Sequence, residues 1–261
     1  MSLPRTLVIT GASGRLGTYL RASLGEVATT ARLLDIIRPP EPAAEESVEV
    51  FQGSVTDPEV LDAAFCDADA VVHLGGFAGD APWPELSEVN IGGTREVLEA
   101  AHRHGLKRVV VASSNHAVGF RVRGAQPLAD DVAPMPDSLY GASKAAAEAL
   151  CEFYSCKFSM EIACVRIGSC FDSPENARML STWLSPADFV RLTRACLTGP
   201  CAGFRLVWGV SSNTRRWWST AGGDAIGFHP QDNAERFANL YPTSPPDPEY
   251  VGGIKPLKEL A

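Results

Sequence analysis

Thr6-Leu-Val-Ile-Thr-Gly-Ala-Ser-Gly-Arg-Leu-Gly17 is the stretch that most narrows the architectures open to this chain. Leu7, Val8 and Ile9 form a short apolar run with β-branched members, the pattern of a strand buried on both faces. Gly11, Gly14 and Gly17 follow at G-x-x-G-x-x-G spacing, and a helical pattern begins at once. Gly11 suits a tight turn of positive φ, and a side chain at Gly14 would block backbone approach to a pyrophosphate. Gly17 lets the helix pack close to the strand. The free N–H groups at the helix start suit an anion. Glycine-rich turns are common, so the spacing alone says little. Its place between a strand and a helix says more. An acid, Asp35, also stands 18 residues past Gly17, at the end of a second apolar run. Together these predict an α/β fold of the Rossmann type, a doubly wound parallel sheet that binds a dinucleotide. Ser13, Arg15 and Leu16, inside the turn, join the expected cofactor contacts.

Composition sets outer bounds. The chain has 261 residues, 45% hydrophobic and 21% charged, which fits one ordinary α/β unit. A formal net charge of -8 argues against nucleic acid and anionic membranes as partners. Seven cysteines are scattered without C-x-x-C pairs or zinc-ligand spacing, so free thiols in a reducing cytoplasm are expected, and no metal site. Met1-Ser-Leu-Pro-Arg-Thr6 shows no signal-peptide pattern, and no apolar run approaches the ~18 residues of a membrane span.

The glycine turn is expected to open a helix of about three turns, ending near Gly25. A second strand over Ala31–Ile36 delivers Asp35 to the cofactor edge. Its carboxylate can accept both hydroxyls of an adenosine ribose and repels a 2′-phosphate, so NAD is favoured over NADP. The nearby Arg38 works the other way, and an acid after a strand is otherwise an ordinary turn residue. Residues 38–47 read as a polar, Pro-rich loop. Val48–Gln52 alternates like a third strand, and Asp57-Pro58 starts the next helix. Between them, Ser54 and Val55 either flank an adenine or form a plain turn. Ala70–Leu74 is a fourth buried strand. It runs into Gly75 and Gly76, at a carboxyl end where open α/β sheets bind ligands. Leu74, Gly75 and Gly76 are accordingly placed at the cofactor. His73 reads as a satisfied core histidine. An amphipathic helix is expected to begin at Asn90 and to carry His102 and His104 at its negative end. Arg108–Ala112 is a strongly β-branched fifth strand.

That strand runs into Ser113-Ser114-Asn115-His116, and Ser138-Leu-Tyr140-Gly-Ala-Ser-Lys144 enters an Ala-rich helix. Tyr140 and Lys144 are four apart and stack on one helix face. A lysine beside a tyrosine favours the phenolate and a bound nicotinamide adds further positive charge, so Tyr140 is expected to act as a general base well below its ordinary pKa of about 10. Ser114 can hydrogen-bond the reacting oxygen. On its own a Y-x-x-x-K pair is an unremarkable surface feature. With a dinucleotide fingerprint upstream and a serine at a strand end between them, the parts read together as a catalytic set.

These marks identify a resemblance to the extended short-chain dehydrogenase/reductase superfamily over residues 6 to about 170. They are Gly11-x-x-Gly14-x-x-Gly17, Asp35, Asn90, Ser114 and Tyr140-x-x-x-Lys144. The resemblance implies a seven-stranded parallel Rossmann sheet, a Ser–Tyr–Lys set, and Asn90 and Ile167 beside the cofactor. Residues 1–170 would form the NAD-binding part. Residues 171–261 would form a small substrate-binding or lid region packed on the same domain.

The stretch after Arg166 is too short to enclose a nucleotide diphosphate comfortably, so a small substrate is implied. Ser114-Asn-His-Ala-Val-Gly-Phe120, Arg178-Met-Leu-Ser-Thr-Trp-Leu184 and Val207–Trp218 resemble the uronate dehydrogenase family along nearly the whole chain. That family oxidises D-galacturonate and D-glucuronate with NAD to an aldarolactone. The resemblance makes Tyr140 the base, Lys144 its activator and Ser114 its hydrogen-bond partner. Asn115, His116, Gly76 and Ser169 would face the sugar, and Arg178 would hold the carboxylate. A homo-oligomer is implied as well. Two positions depart from the extended pattern: Val118 replaces a tyrosine and Ser54 an acid. Two other readings stay open: a nucleotide-sugar epimerase or dehydratase of the same superfamily, and a non-catalytic NAD-sensing regulator. Trp217 and Trp218 read as packing, His229 as a loop residue, and Pro242–Pro248 with the tail to Ala261 as irregular.

Overall fold

Seven short runs of largely apolar residues become one parallel sheet. The structure is a computed structural model and describes residues 2–242 and 249–253. The strands are β1 (Thr6–Thr10), β2 (Thr30–Asp35), β3 (Val48–Gln52), β4 (Ala70–His73), β5 (Arg108–Ser114), β6 (Glu161–Ile167) and β7 (Phe204–Gly209). Their order is β3-β2-β1-β4-β5-β6-β7, and every neighbouring pair is parallel. Leu7 lies between Ala31 and Ala70, so β1 is interior and must be apolar on both faces. The order reverses between β1 and β4, which opens a crevice at the carboxyl ends of the strands.

Side-chain alternation divides the core into two layers. Leu7, Ile9 and Leu33 pack with Leu20 of helix α1 (Arg15–Ala22) and Leu192 of α5 (Pro186–Thr198). Val8, Val109 and Ile162 face the other way. They meet Leu61 of α2 (Pro58–Phe65), Leu98 of α3 (Thr94–Arg103) and Cys151 of α4 (Leu139–Phe158). Local chemistry sets the helix starts. Asp57 accepts from the Glu59 and Val60 amides ahead of α2, Ser138 from Gly141 ahead of α4, and Ser185 from Asp188 ahead of α5. Pro58 and Pro186 stand in the first turn.

Two expected boundaries are corrected. The first helix ends at Ala22, and Gly25 lies in a separate turn, Leu24–Val27, after a break at Ser23. Asn90 does not begin a helix. Helical backbone already covers Trp83–Glu85 and passes through a π-helical stretch, Leu86–Gly93, into α3. Asn90 Nδ2 donates to Ser143 of α4, and its Oδ1 accepts from the Phe77 amide. These tertiary ties hold the widened turn against the crevice.

The seventh strand comes from the 171–261 part, which therefore joins the same sheet. Trp217 and Trp218 are packing residues, buried with Trp208, Val118 and Val251. His229 is an exposed loop residue 3.4 Å from Asp224. Of the C-terminal stretch, Glu249–Gly253 forms a strap that bridges Val122 through Tyr250; residues 243–248 and 254–261 lie outside the described residues. Among the described residues no helix is long and apolar enough to cross a membrane.

Candidate active site

A cavity of about 510 Å³ opens at the carboxyl ends of β1, β2, β4, β5 and β6 and runs from Asp35 to Tyr140. At its first end, Gly11 takes φ +68, and a Cβ there would lie 2.7 Å from the Leu74 carbonyl carbon and the Gly75 amide. The two loops touch, which only glycine permits. The Gly14 amide closes on Gly11 O, and α1 then begins with no side chain capping its N–H groups. Those free donors are what an anion needs. Gly17 sits behind them, where a Cβ would come 2.5 Å from Ala12, so α1 lies tightly on the turn. Asp35 Oδ2 accepts from the Ser13 amide at 2.9 Å and Oδ1 from the Ile37 amide at 3.1 Å, which fixes the carboxylate at the cavity edge. Arg38 is engaged with Glu41 at 2.7 Å. Glycine cradle, uncapped helix and oriented carboxylate fit the pyrophosphate and ribose of a dinucleotide.

Most residues singled out from the sequence line this cavity. Gly11, Gly14, Arg15, Leu16, Asp35, Ser54, Val55, Leu74, Gly75, Gly76 and Ile167, all expected at the dinucleotide, are among its lining. Ser114, Asn115, His116, Tyr140, Lys144 and Ser169 form the other end. Ser13, Gly17 and Asn90 support the wall from behind. Arg178 also stands outside the lining. Its Nη2 donates to Val251 O at 2.5 Å, and its guanidinium lies 5.7 Å from the Trp217 ring centre. Asn115 Nδ2 donates to that same carbonyl at 3.4 Å, so Arg178 is one carbonyl removed from the cavity wall. Phe77, Cys170 and Phe171 line the cavity and were not singled out. Each closely follows a singled-out residue at a strand's carboxyl end, and that position was the available signal. The Phe171 ring carries the Arg15 guanidinium at 4.0 Å.

At the reactive end, Ser114 hydrogen-bonds Tyr140, accepts from the His116 amide at 3.2 Å and donates to Asn115 Oδ1 at 3.3 Å. Lys144 Nζ donates to Ala112 O at 3.0 Å and lies 5.8 Å from the Tyr140 ring centre. Lys144 is not among the causes that shift Tyr140 in this structure. Burial pushes Tyr140 up to about 12, against a lowering by the Ser114 hydrogen bond and with a further rise from Asp80. Burial likewise pushes Lys144 down to about 8, opposed by the charges of Cys164, Cys151 and Glu148. Desolvation resists charge on both groups and is the largest cause of each shift. His73 is the core histidine foreseen, bonded to Thr10 at 2.7 Å and Thr94 at 3.2 Å. Burial, then Lys144, lowers its pKa to about 3, so it stays neutral.

A buried ionic network supports this end. Glu148, on α4 one turn past Lys144, accepts from Ser113 Oγ at 2.6 Å and from Arg166 Nε and Nη2 at 2.9 and 2.7 Å. Arg166 Nη1 also donates to the carbonyls of Asp130 and Val132. The network ties β5, α4 and β6 together directly beneath Ser114 and Tyr140.

Residues 7–194 match the NAD dependent epimerase/dehydratase family. A uronate dehydrogenase of Agrobacterium fabrum is 41% identical over 94% of this chain and 92% of its own length. A crystal structure of uronate dehydrogenase from Agrobacterium tumefaciens superposes with TM-score 0.88 at 40% identity, covering 96% of each chain. A tyrosine-to-alanine variant of the enzyme from that organism, complexed with NAD, gives TM-score 0.89 at 38% identity over 98% of each chain.

Proposed function

The chain belongs to the NAD dependent epimerase/dehydratase family and, within it, to the uronate dehydrogenases, and from that premise we propose that it oxidises D-galacturonate or D-glucuronate with NAD at the anomeric carbon, giving the aldarolactone. The observation that carries the reading is the single cavity: an oriented Asp35 carboxylate marks one end, and Ser114, Tyr140 and Lys144 stand beside Asn115 and His116 at the other.

Held by the Gly11–Gly14 turn and Asp35, bound NAD would supply a hydride acceptor for the anomeric hydrogen and a positively charged nicotinamide. The chain's own groups do the rest. Tyr140 takes the proton of the anomeric hydroxyl, and Ser114 hydrogen-bonds the same oxygen. Lys144, pinned to Ala112 O, is the nearby cation that opposes the desolvation of the phenolate. Oxidation of the ring form leaves a carbonyl at the anomeric carbon beside the ring oxygen, which is a lactone. Asn115, His116 and Ser169 serve the sugar hydroxyls, and the Arg178 guanidinium, held one carbonyl behind the wall by Val251 O, supplies the positive charge that favours the carboxylate. Holding the reacting groups in contact contributes part of the ~7–11 kcal/mol that proximity and orientation can supply.

The product tests the reading. Proton NMR of galacturonate, NAD and enzyme should show the lactone first and the open aldarate later. An aldarate that forms without a preceding lactone would point to oxidation of the open-chain aldehyde instead. Cofactor choice follows from Asp35. Asp35→Ser removes charged hydrogen bonds worth about 1.5–3 kcal/mol, so the KM for NAD should rise by roughly 10- to 100-fold. NADP should gain relative to NAD, because the repelling carboxylate is gone; initial rates with each dinucleotide measure this.

A reducing cytoplasm suits the seven free thiols. A second copy of the chain suits the exposed Leu139 and Phe153 on α4.

A further inference from the structure

His116 lines the cavity beside Tyr140, their rings edge to face at 6.0 Å. Its Nδ1 lies 3.0 and 2.9 Å from the two carboxylate oxygens of Asp137. The Asp137 side chain is fully buried, whereas that of His116 is 21% exposed. The carboxylate sits in a slot walled by backbone. A Cβ at Gly119 or Gly252 would run into it, and one at Gly141 would strike the His116 carbonyl and come within 3.3 Å of Asp137 Oδ1. Those glycines belong to the turn after β5, the first turn of α4 and the C-terminal strap, so three separate segments close on one carboxylate. Ser138 Oγ donates to its Oδ1 at 3.2 Å. Its place just ahead of α4 also puts the negative charge at the positive end of the helix.

A carboxylate that cannot turn away fixes the imidazole it holds. We propose that Asp137 is a positioning residue for the dehydrogenation: it keeps the proton of His116 on Nδ1, so that Nε2 is the ring nitrogen presented to a sugar hydroxyl. Among the described residues Nε2 has no hydrogen-bond partner, in keeping with that task. Free imidazole prefers the opposite tautomer, with the proton on Nε2, so the carboxylate does work that the ring would not do by itself. The slot explains the glycines. It also gives the strap a task, because Gly252 closes the slot while the adjacent Val251 carbonyl holds Asn115 and Arg178.

The kinetic part rests on the uronate reading; the spectroscopic part does not. In protein labelled with 15N-histidine, long-range 1H–15N spectra at alkaline pH should show His116 with Nδ1 protonated and Nε2 bare, assigned by loss of the signal in His116→Ala. A bare Nδ1 would overturn the proposal, whether or not any sugar is turned over. In kinetics, Asp137→Asn should lower kcat/KM for galacturonate by roughly 10- to 100-fold, mainly through KM, with NAD affinity unchanged, as misplacement of a substrate contact does. The same substitution should cost nothing further in a His116→Ala background, because Asp137 acts only through that ring. An equal loss in both backgrounds, or none in the wild type, would overturn the proposal. A wild-type enzyme that leaves hexuronates unoxidised would instead overturn the uronate reading and leave the spectrum to decide the tautomer.

Discussion

Replacing Tyr140 by phenylalanine should lower kcat by about 10²–10⁴-fold and leave NAD affinity unchanged. The substitution removes one oxygen from a ring that stays 8% exposed and packed at the start of α4, so the fold is not at stake. That oxygen is the proton acceptor of the proposed mechanism, and it is the hydrogen-bond partner of Ser114. The pH dependence makes the prediction sharper. A group at about 12 is deprotonated in only about one molecule in 10⁴ at pH 8, so the protein's own surroundings hold the base in its inactive form. The active form is the phenolate, so activity should rise with pH. With NAD saturating, the apparent pKa governing kcat should lie well below 12, because the cations of the site favour the charged form. Steady-state rates from pH 6 to 10, with NAD binding followed by fluorescence titration, check both parts. Wild-type kinetics in the phenylalanine variant would remove Tyr140 from the mechanism.

Arg166→Met should destabilise the fold by about 3–5 kcal/mol, the usual cost of stripping one partner from a buried ion pair. The Arg166 side chain has no exposure and that of Glu148 has 4%, so water cannot replace the lost bonds. Ser113 would be the only remaining donor to Glu148 among the bonds described, and the carbonyls of Asp130 and Val132 would lose theirs. The melting temperature should fall on the order of 10 °C. Adding Glu148→Met should recover part of the loss, since the buried charge then disappears, but the three neutral groups would stay unsatisfied. Thermal melts of the single and double variants measure this. A double variant less stable than Arg166→Met would show that Glu148 stabilises through contacts other than its charge.

What was legible in the sequence was what local chemistry decides. Leu7–Ile9 must be an interior strand because it is apolar on both faces, and Gly11 must be glycine because the backbone takes φ +68 against Gly75. Asp57-Pro58 marks a helix start because the carboxylate accepts from the Glu59 and Val60 amides. The Ser–Tyr–Lys set follows from a strand end and a helical spacing. The less legible features depend on distant partners. Asn90 was read as the start of an amphipathic helix; its bonds to Phe77 and Ser143 hold it mid-helix instead. Arg178 was expected at the sugar carboxylate, whereas its guanidinium lies outside the cavity lining, held by Val251 O, 73 residues later. Tyr140 was read from its neighbour Lys144, whereas burial, a property of the whole fold, dominates its pKa. Asp137 carried no motif at all, and only the folded chain brings it to His116.

The most direct test of the central claim is NADH absorbance after mixing the protein with NAD and D-galacturonate or D-glucuronate, with D-galactose as control. A rise with an acid and none with the neutral sugar is the predicted result. Folded protein that binds NAD and yields no NADH with either acid would contradict the claim and favour an epimerase or a sensor, and an equal rise with galactose would keep the dehydrogenase but remove the carboxylate clamp at Arg178.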